Sequence, residues 1–504
     1  MTTAHICIMA AIIVYLGAMI FVGYLCSKNN NDSSDFYLGG RKLGPFVTAM
    51  SAEASDMSSY LLMGLPGLAY LTGLCDVFWT IAGLATGTYL NWLLVAKRLR
   101  KYSVICGNSI TIPDFFANRY RDKKVLKTIS AIIIIIFFVP YTASGFAACG
   151  KLFHSLFGVN YVTAMVISAI VIIAYTSLGG FLAASITDFI QSIIMSVALI
   201  TVIFYGISSV GGMDAVISHV KDLPGYLSLD SSYDATSNSA SPYGIITIIS
   251  TLAWGLGYFG MPHILLRFMA VEHEDKIKLS RRIASIWVVI AMAIALLIGV
   301  IGHAMTSAGV IGSLGDSETI IVSIAHVLSS HGLLFAMVAG VILAGILAST
   351  MSTSDSQLLA ASSSITEDLM GGVFGIKLSP RANVIVARCS VIAISVVAIF
   401  LALDPSSNVF KIVSFAWAGF GATFGPVMIF ALFWKRSNKY GAISGMVAGG
   451  AMVFIWKFLV RPMGGVLDIY ELLPAFIVAS IFIVVVSLLT KAPDEEIVKE
   501  FESI

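Results

Sequence analysis

The stretch FVTAMSAEASDMSSYLLMGLPGLAYL, residues 46–71, is apolar enough to enter a bilayer and wrong for a plain membrane anchor. A hydrocarbon core about 30 Å thick asks for about 20 consecutive, mostly apolar residues. This run has the length, yet it carries Glu53 and Asp56, the serines Ser51, Ser55, Ser58 and Ser59, and then Gly64, Pro66 and Gly67. A carboxylate at membrane depth costs about 3 kcal/mol on insertion scales and is kept where it faces protein, water or an ion. Pro66 has no N–H to donate, and the glycines loosen the helix beside it. Freed carbonyls in a broken membrane helix are tolerated only inside protein or along a cavity. The stretch therefore predicts an interrupted span that lines an interior site.

The surrounding chain reads as membrane protein throughout. Of 504 residues, 58% are hydrophobic and 12% charged, where a soluble chain carries about 25% charged residues. Runs such as AIIIIIFFVP (131–140) and ASIFIVVVSLL (479–489) lack the alternation of a barrel strand, which leaves helices as the spanning element. Apolar runs between charged breaks predict about thirteen transmembrane helices, centred near residues 16, 58, 85, 138, 168, 196, 256, 293, 345, 392, 420, 450 and 480. The expected fold class is an all-α integral membrane protein, a single polytopic domain over 1–504. An odd number of spans puts the termini on opposite sides. One set of loops holds 25 of the 30 basic residues, including the clusters 97–127 and 267–282, and the other holds Lys151, Lys221, Lys411, Lys457 and Arg461. The positive-inside rule makes the first set cytoplasmic. The expectation is a multi-pass protein of the cell membrane with its N-terminus outside and its C-terminus in the cytoplasm. Residues 6–26 read as a retained first span, since no basic region or small-residue cleavage site marks a signal peptide. The longest external loop, 208–243, reads as a solvated connector or a partial lid. A net charge of +2 without a basic, aromatic-interleaved patch gives no footprint for nucleic acid. The six cysteines are scattered without a CxxC pair, which suits packing.

A second run, STLAWGLGYFGMPHILLRF (250–268), is interrupted too, by Gly255, Gly257, Gly260 and Pro262, with Trp254 and Tyr258 one turn apart. It stands five spans after the first. Interrupted helices at corresponding places point to the midplane site of a five-plus-five inverted-repeat transporter. A third run, AGILASTMSTSDSQLLAASSS (344–364), places Ser349, Ser352 and Thr353 at i, i+3 and i+4, on one helical face. Hydroxyl and carbonyl oxygens suit a hard cation, and sodium, with one charge, needs no cage of carboxylates. The plainer reading is that such hydroxyls bond the backbone of their own or a neighbouring helix. Catalytic motifs are missing: there is no Walker loop, no HExxH and no clustered His/Cys set, and SSITED (363–368) resembles a capping box.

Several long motifs make the chain resemble the sodium:solute symporter family, and within it the bacterial sodium/proline carriers. They are DFYLGGRKLGPFVTAMSAEASDMSSYLLMGLPG, YTSLGGFLAASITD, WGLGYFGMPHILLRFM, MSTSDSQLLAASSSITEDL, SFAWAGFGATFGPV and WKRSNKYGAISGMVAGG, spread over about 35–493. The resemblance implies a LeuT-like core over 44–434, an extra helix before it over 1–30, and two helices after it over 440–490. It implies sodium as the coupled ion, held by the carbonyls of Ala54, Met57 and Ser349 and the hydroxyls of Ser352 and Thr353. It links Ser58, Tyr141, Trp254, Tyr258 and Pro262 to L-proline, and Asp56, Arg41 and Asp188 to coupling. Four positions depart from the well-known proline carriers: Glu53 stands for Gly, Tyr60 for Trp, Met261 for Gln and Ser349 for Ala. Glu53 could sit near the ion, carry a proton, or pair with Arg41 or Lys411. It also keeps open a symporter for another small amino acid or organic solute. A transporter-like sensor is disfavoured by a tail of about fifteen residues, and an intramembrane enzyme by the missing nucleophile and base.

Overall fold

The computed structural model describes residues 3–28, 30–122, 124–404 and 409–504; Met1, Thr2 and Asn29 of the expected first helix and Lys123 of the basic cluster lie outside them. Each expected span centre falls inside a helical segment. Nine helices among the described residues are long and apolar enough to cross a membrane, and ten if the bent pair Ile245–Gly260 and Pro262–Ala270 is one span. The longest, Tyr161–Val210, covers two expected centres and is interrupted at Gly180, whose φ is +63°. A side chain there would be strained by that φ, and its Cβ would stand 2.8 Å from the Phe36 carbonyl oxygen.

Burial sorts the helices by role. Apolar side chains such as Val14, Phe204 and Leu489 are exposed along the outside, as a lipid-facing surface requires. Residues 48–67 and 342–364 are buried without exception. These are the polar stretches that the sequence singles out. They survive in a membrane protein because other helices, not lipid, surround them on every side. The helix Leu333–Ser363 packs against Tyr161–Val210, Thr3–Ser27, Val125–Phe157 and Pro45–Ser59.

Three local expectations change. The break in the first interrupted span falls at Ser58 (φ 47°, ψ −169°), between Pro45–Ser59 and a π-helical turn, Tyr60–Gly64. Pro66 lies in the first turn of the following helix, Leu65–Thr72, where a missing N–H costs nothing. SSITED starts no helix: Leu333–Ser363 runs on into the π-helical segment Ser364–Val373, so no capping box forms. The 208–243 segment holds a helix, Met213–Val220, and a hairpin of Ser231–Asp234 with Ser239–Pro242. It is docked rather than simply solvated: the buried Tyr226 donates its hydroxyl to Ala69 O at 2.8 Å, and its backbone carbonyl accepts from Leu74 N–H at 2.8 Å.

Candidate functional site

The non-helical Ser58 decides what the first broken span can offer. In an unbroken helix the carbonyls of Ala54 and Ser55 would accept from the N–H groups of residues 58 and 59. Here they accept from another helix. Ser352 Oγ donates to Ala54 O at 2.8 Å and Thr353 Oγ1 donates to Ser55 O at 2.8 Å. Both hydroxyls also reach Ser349 O, at 3.2 and 3.3 Å. Ser349 Oγ turns back to Ile346 O, so this residue meets the cluster through its carbonyl. The result is a buried set of uncharged oxygens shared by the broken span and the hydroxyl face. A hydroxyl that donates to a carbonyl can swivel and present its lone pair to a cation lying between them. Four of the five expected ion-site residues therefore come together: Ala54, Ser349, Ser352 and Thr353. Met57 does not join them; its carbonyl accepts from Tyr60 N–H, and Ser55 stands in its place. Among the described residues no group of three or more His, Cys, Asp or Glu side chains could hold a metal.

Beside this set lies a narrow cavity, nearly closed by its own side chains and lined by Asp56, Met57, Tyr60, Leu84, Tyr141, Trp254, Met292, Val413 and Trp417. Tyr258 donates a short hydrogen bond to Asp56 Oδ2, and its ring meets Trp417 edge-on at 5.1 Å. Trp254 is stacked between Tyr60 (5.8 Å) and Tyr470 (4.9 Å), with Phe410 at 5.7 Å. The second broken span carries these rings as the 3-10 segment Ala253–Gly260; extended backbone at Met261 follows, then the helix Pro262–Ala270 at 48°. Gly257 is required there: a Cβ would stand 2.0 Å from Trp417 Nε1. Ser58 Oγ accepts from Tyr60 N–H at 3.1 Å and faces the Tyr141 hydroxyl. Pro262 opens the second half-helix and does not line the cavity.

Glu53 is buried, and it pairs with neither Arg41 nor Lys411 in any hydrogen bond or ion pair found for its carboxylate. Trp92 Nε1 donates to its Oε1 at 2.9 Å and Thr88 Oγ1 at 3.3 Å, while Oε2 has no partner. Arg41 instead donates to Ser103 Oγ (3.1 Å), Met269 O (2.7 Å) and Ser109 O (2.6 Å). It thereby caps the carbonyl end of Pro262–Ala270, where a cation is favoured. Burial, and then the charge of Arg100, lower its pKa to about 10, so it stays charged at neutral pH.

A buried ionic network lies one turn away. Asp188 Oδ2 accepts from Arg267 Nη2 (3.0 Å), Ser51 Oγ (2.7 Å) and Ser55 Oγ (3.0 Å). Arg267 also donates to Ser51 Oγ (3.0 Å), Ser356 Oγ (2.5 Å) and His263 O (2.8 Å). Counting Arg267 among the loop cations is therefore corrected: its side chain is 1% exposed, inside the second broken span. Ser55 links the two regions, its carbonyl to Thr353 and its hydroxyl to Asp188.

Residues 36–449 match the model of the sodium:solute symporter family. The chain belongs to that family. The osmoregulated proline transporter OpuE of Bacillus subtilis is 41% identical over 489 residues, covering 95% of this chain and 94% of the relative. A sodium/proline symporter of Haemophilus influenzae is 42% identical over 496 residues, covering 97% and 96%. Among solved structures, a Na+-coupled sialic acid symporter in a substrate-bound outward-open state superposes with a TM-score of 0.79 at 17% identity, over 97% of this chain and 99% of that one. That likeness gives the fold, a LeuT-like five-plus-five inverted repeat.

Within this symporter-family chain, several residues at the site escape a reading of the sequence alone. Tyr470, Phe410 and Trp417 reach Trp254 and Tyr258 from more than 150 residues away. Trp92 reaches Glu53 from another helix. Arg267 carried a usable signal: a cation inside an interrupted apolar run predicts a buried carboxylate partner.

Proposed function

We infer that this protein is a secondary active symporter that couples inward sodium movement to uptake of L-proline by alternating access. The function itself rests on near-full-length likeness to a proline transporter at 41% identity and a sodium/proline symporter at 42%. The observation that carries the ion site is the bridge from Ser352 and Thr353 to the carbonyls of Ala54 and Ser55. Sodium lying among these oxygens ties the first broken span to the helix Leu333–Ser363. That ordering shapes the adjoining cavity at Asp56, Tyr141 and Trp254, where an apolar ring packs against aromatic walls. The substrate carboxylate meets backbone N–H groups at a half-helix start. Coupling requires each ligand to bind better when the other is present. About 100 mV supplies ~2.3 kcal/mol per charge, and a tenfold sodium gradient adds about 1.4 kcal/mol. One sodium per substrate then supports roughly 500-fold accumulation.

Thirteen crossings, with the N-terminus outside and the C-terminus in the cytoplasm, complete the reading. They require the two halves of Tyr161–Val210 and the segments 45–72, 74–105 and 245–270 each to count as a span. The core then occupies 44–434, after a first helix in 1–30 and before two helices in 440–490. The 25-to-5 division of basic residues supports this orientation, although Arg267 and Arg119 are buried and do not report on a loop.

Counterflow from proteoliposomes preloaded with radiolabelled proline tests the cargo. Unlabelled L-proline outside is expected to exchange best among small amino acids, sugars and organic acids. A different solute exchanging faster would assign the cavity to that solute, the reading that Glu53 keeps open.

A further inference from the structure

A second pocket, of about 260 Å³, shares no lining residue with the transport cavity and lies where the end of the helix Ile112–Arg119, the start of Lys439–Ile455 and the segment before Glu495–Glu502 converge. Its walls include Arg119, Arg121, Lys439 and Lys491, with Ser437 and the single carboxylate Asp494. Arg119 is fully buried. Its Nε donates to Ala431 O at 3.0 Å, but Nη1 and Nη2 have no hydrogen-bond partner, and the rings of Tyr102, Tyr120 and Phe501 stand 5.0–5.6 Å from its Cζ. Arg121 is paired with Glu500, and Lys491 lies 3.5 Å from Asp494. Four cations thus face two carboxylates, a surplus that suits an anion of one or two charges. A buried guanidinium with two of its three nitrogens unpartnered is costly unless something answers its charge.

The rim says what kind of anion. Leu488 and Leu489, 58% and 81% exposed, end the helix Leu472–Leu489 just before the wall residue Lys491, and Tyr440, in the wall beside Lys439, is 48% exposed. A free phosphate would gain nothing from them, whereas acyl chains would cover them. We propose that this pocket binds the phosphate headgroup of an anionic phospholipid, with Lys439 and Lys491 on the phosphate and the chains along Leu488, Leu489 and Tyr440. Basic pockets at helix ends on the cytoplasmic side hold such headgroups. The choice of the cytoplasmic leaflet rests on the orientation given above; the binding itself does not rest on the transport reading.

The test titrates the purified full chain in neutral detergent with phosphatidylglycerol, phosphatidylcholine and inorganic phosphate, without sodium or proline, and counts bound ligands by native mass spectrometry. Phosphatidylglycerol is expected to bind at least about tenfold more tightly than phosphatidylcholine, and Lys439→Gln with Lys491→Gln to abolish that preference. Both lysines are partly or fully in solvent, so the double variant keeps its fold, and an unchanged thermal midpoint confirms that. Equal phosphatidylglycerol affinity in the double variant would overturn the site. Inorganic phosphate binding as tightly as the lipid would overturn the lipid as its ligand.

Discussion

In residues 45–72 the chain breaks at a serine held at φ 47°, while in residues 245–270 it breaks across Gly260 to Pro262 with a bend of 48°. The first break frees carbonyls that meet hydroxyls of Leu333–Ser363. The second carries Trp254 to the cavity and Tyr258 to Asp56 in its wall on one side, and Arg267 to Asp188 on the other. One span thus supplies uncharged oxygens suited to a cation, and the other supplies aromatic walls and a fixed cation. They meet through two hydrogen-bonded contacts, Tyr258 on Asp56 and Arg267 on Ser51. At the proposed sites, ion and solute would each alter the other's surroundings without sharing a ligand.

The largest expected effect comes from the fixed cation. Arg267→Ala leaves Asp188 buried without its cation, and breaking a buried pair costs about 3–5 kcal/mol. Thermal unfolding of the purified variant should show a large drop, and Arg267→Ala with Asp188→Ala should recover part of it. A double variant as unstable as the sum of the two would mean that the pair is not coupled.

Next comes the hydroxyl bridge. Ser352→Ala with Thr353→Ala removes two oxygens from a charged ligand, each worth about 1.5–3 kcal/mol. The sodium concentration for half-maximal uptake should rise more than about tenfold. Wild-type sodium dependence in this variant would remove the bridge from the ion site.

Much of this contrast is legible in the sequence, though unevenly. Gly260 and Pro262 announce their own break because the residue types constrain the backbone directly. Ser58 does not, since a serine takes positive φ only when its surroundings impose it. Pro66 points to the wrong turn, because proline breaks a helix interior yet sits comfortably in a first turn. The i, i+3, i+4 hydroxyl face was visible because it is local. The Glu53–Trp92 and Asp188–Arg267 pairings were not, because they join residues 39 and 79 positions apart on separate helices.

The aromatic walls should give a smaller and different effect. Trp254→Ala or Tyr258→Ala should weaken proline affinity roughly tenfold, in line with the loss of an aromatic contact, and change sodium affinity less. Unchanged proline affinity in both would move the solute out of this cavity. The smallest effect is expected from Glu53→Gln, whose amide oxygen can still accept from Trp92 and Thr88. Its thermal stability should stay within about 1 kcal/mol of wild type. A larger loss would mean that the unpartnered Oε2 carries a charge that the fold uses.

Sodium-driven proline accumulation in proteoliposomes tests the central claim most directly. With a sodium gradient directed inward and the interior negative, radiolabelled L-proline should concentrate inside well above its external level. It should leak back when sodium is equalised. Accumulation that persists at equal sodium on both sides, with the membrane potential collapsed, would contradict the account.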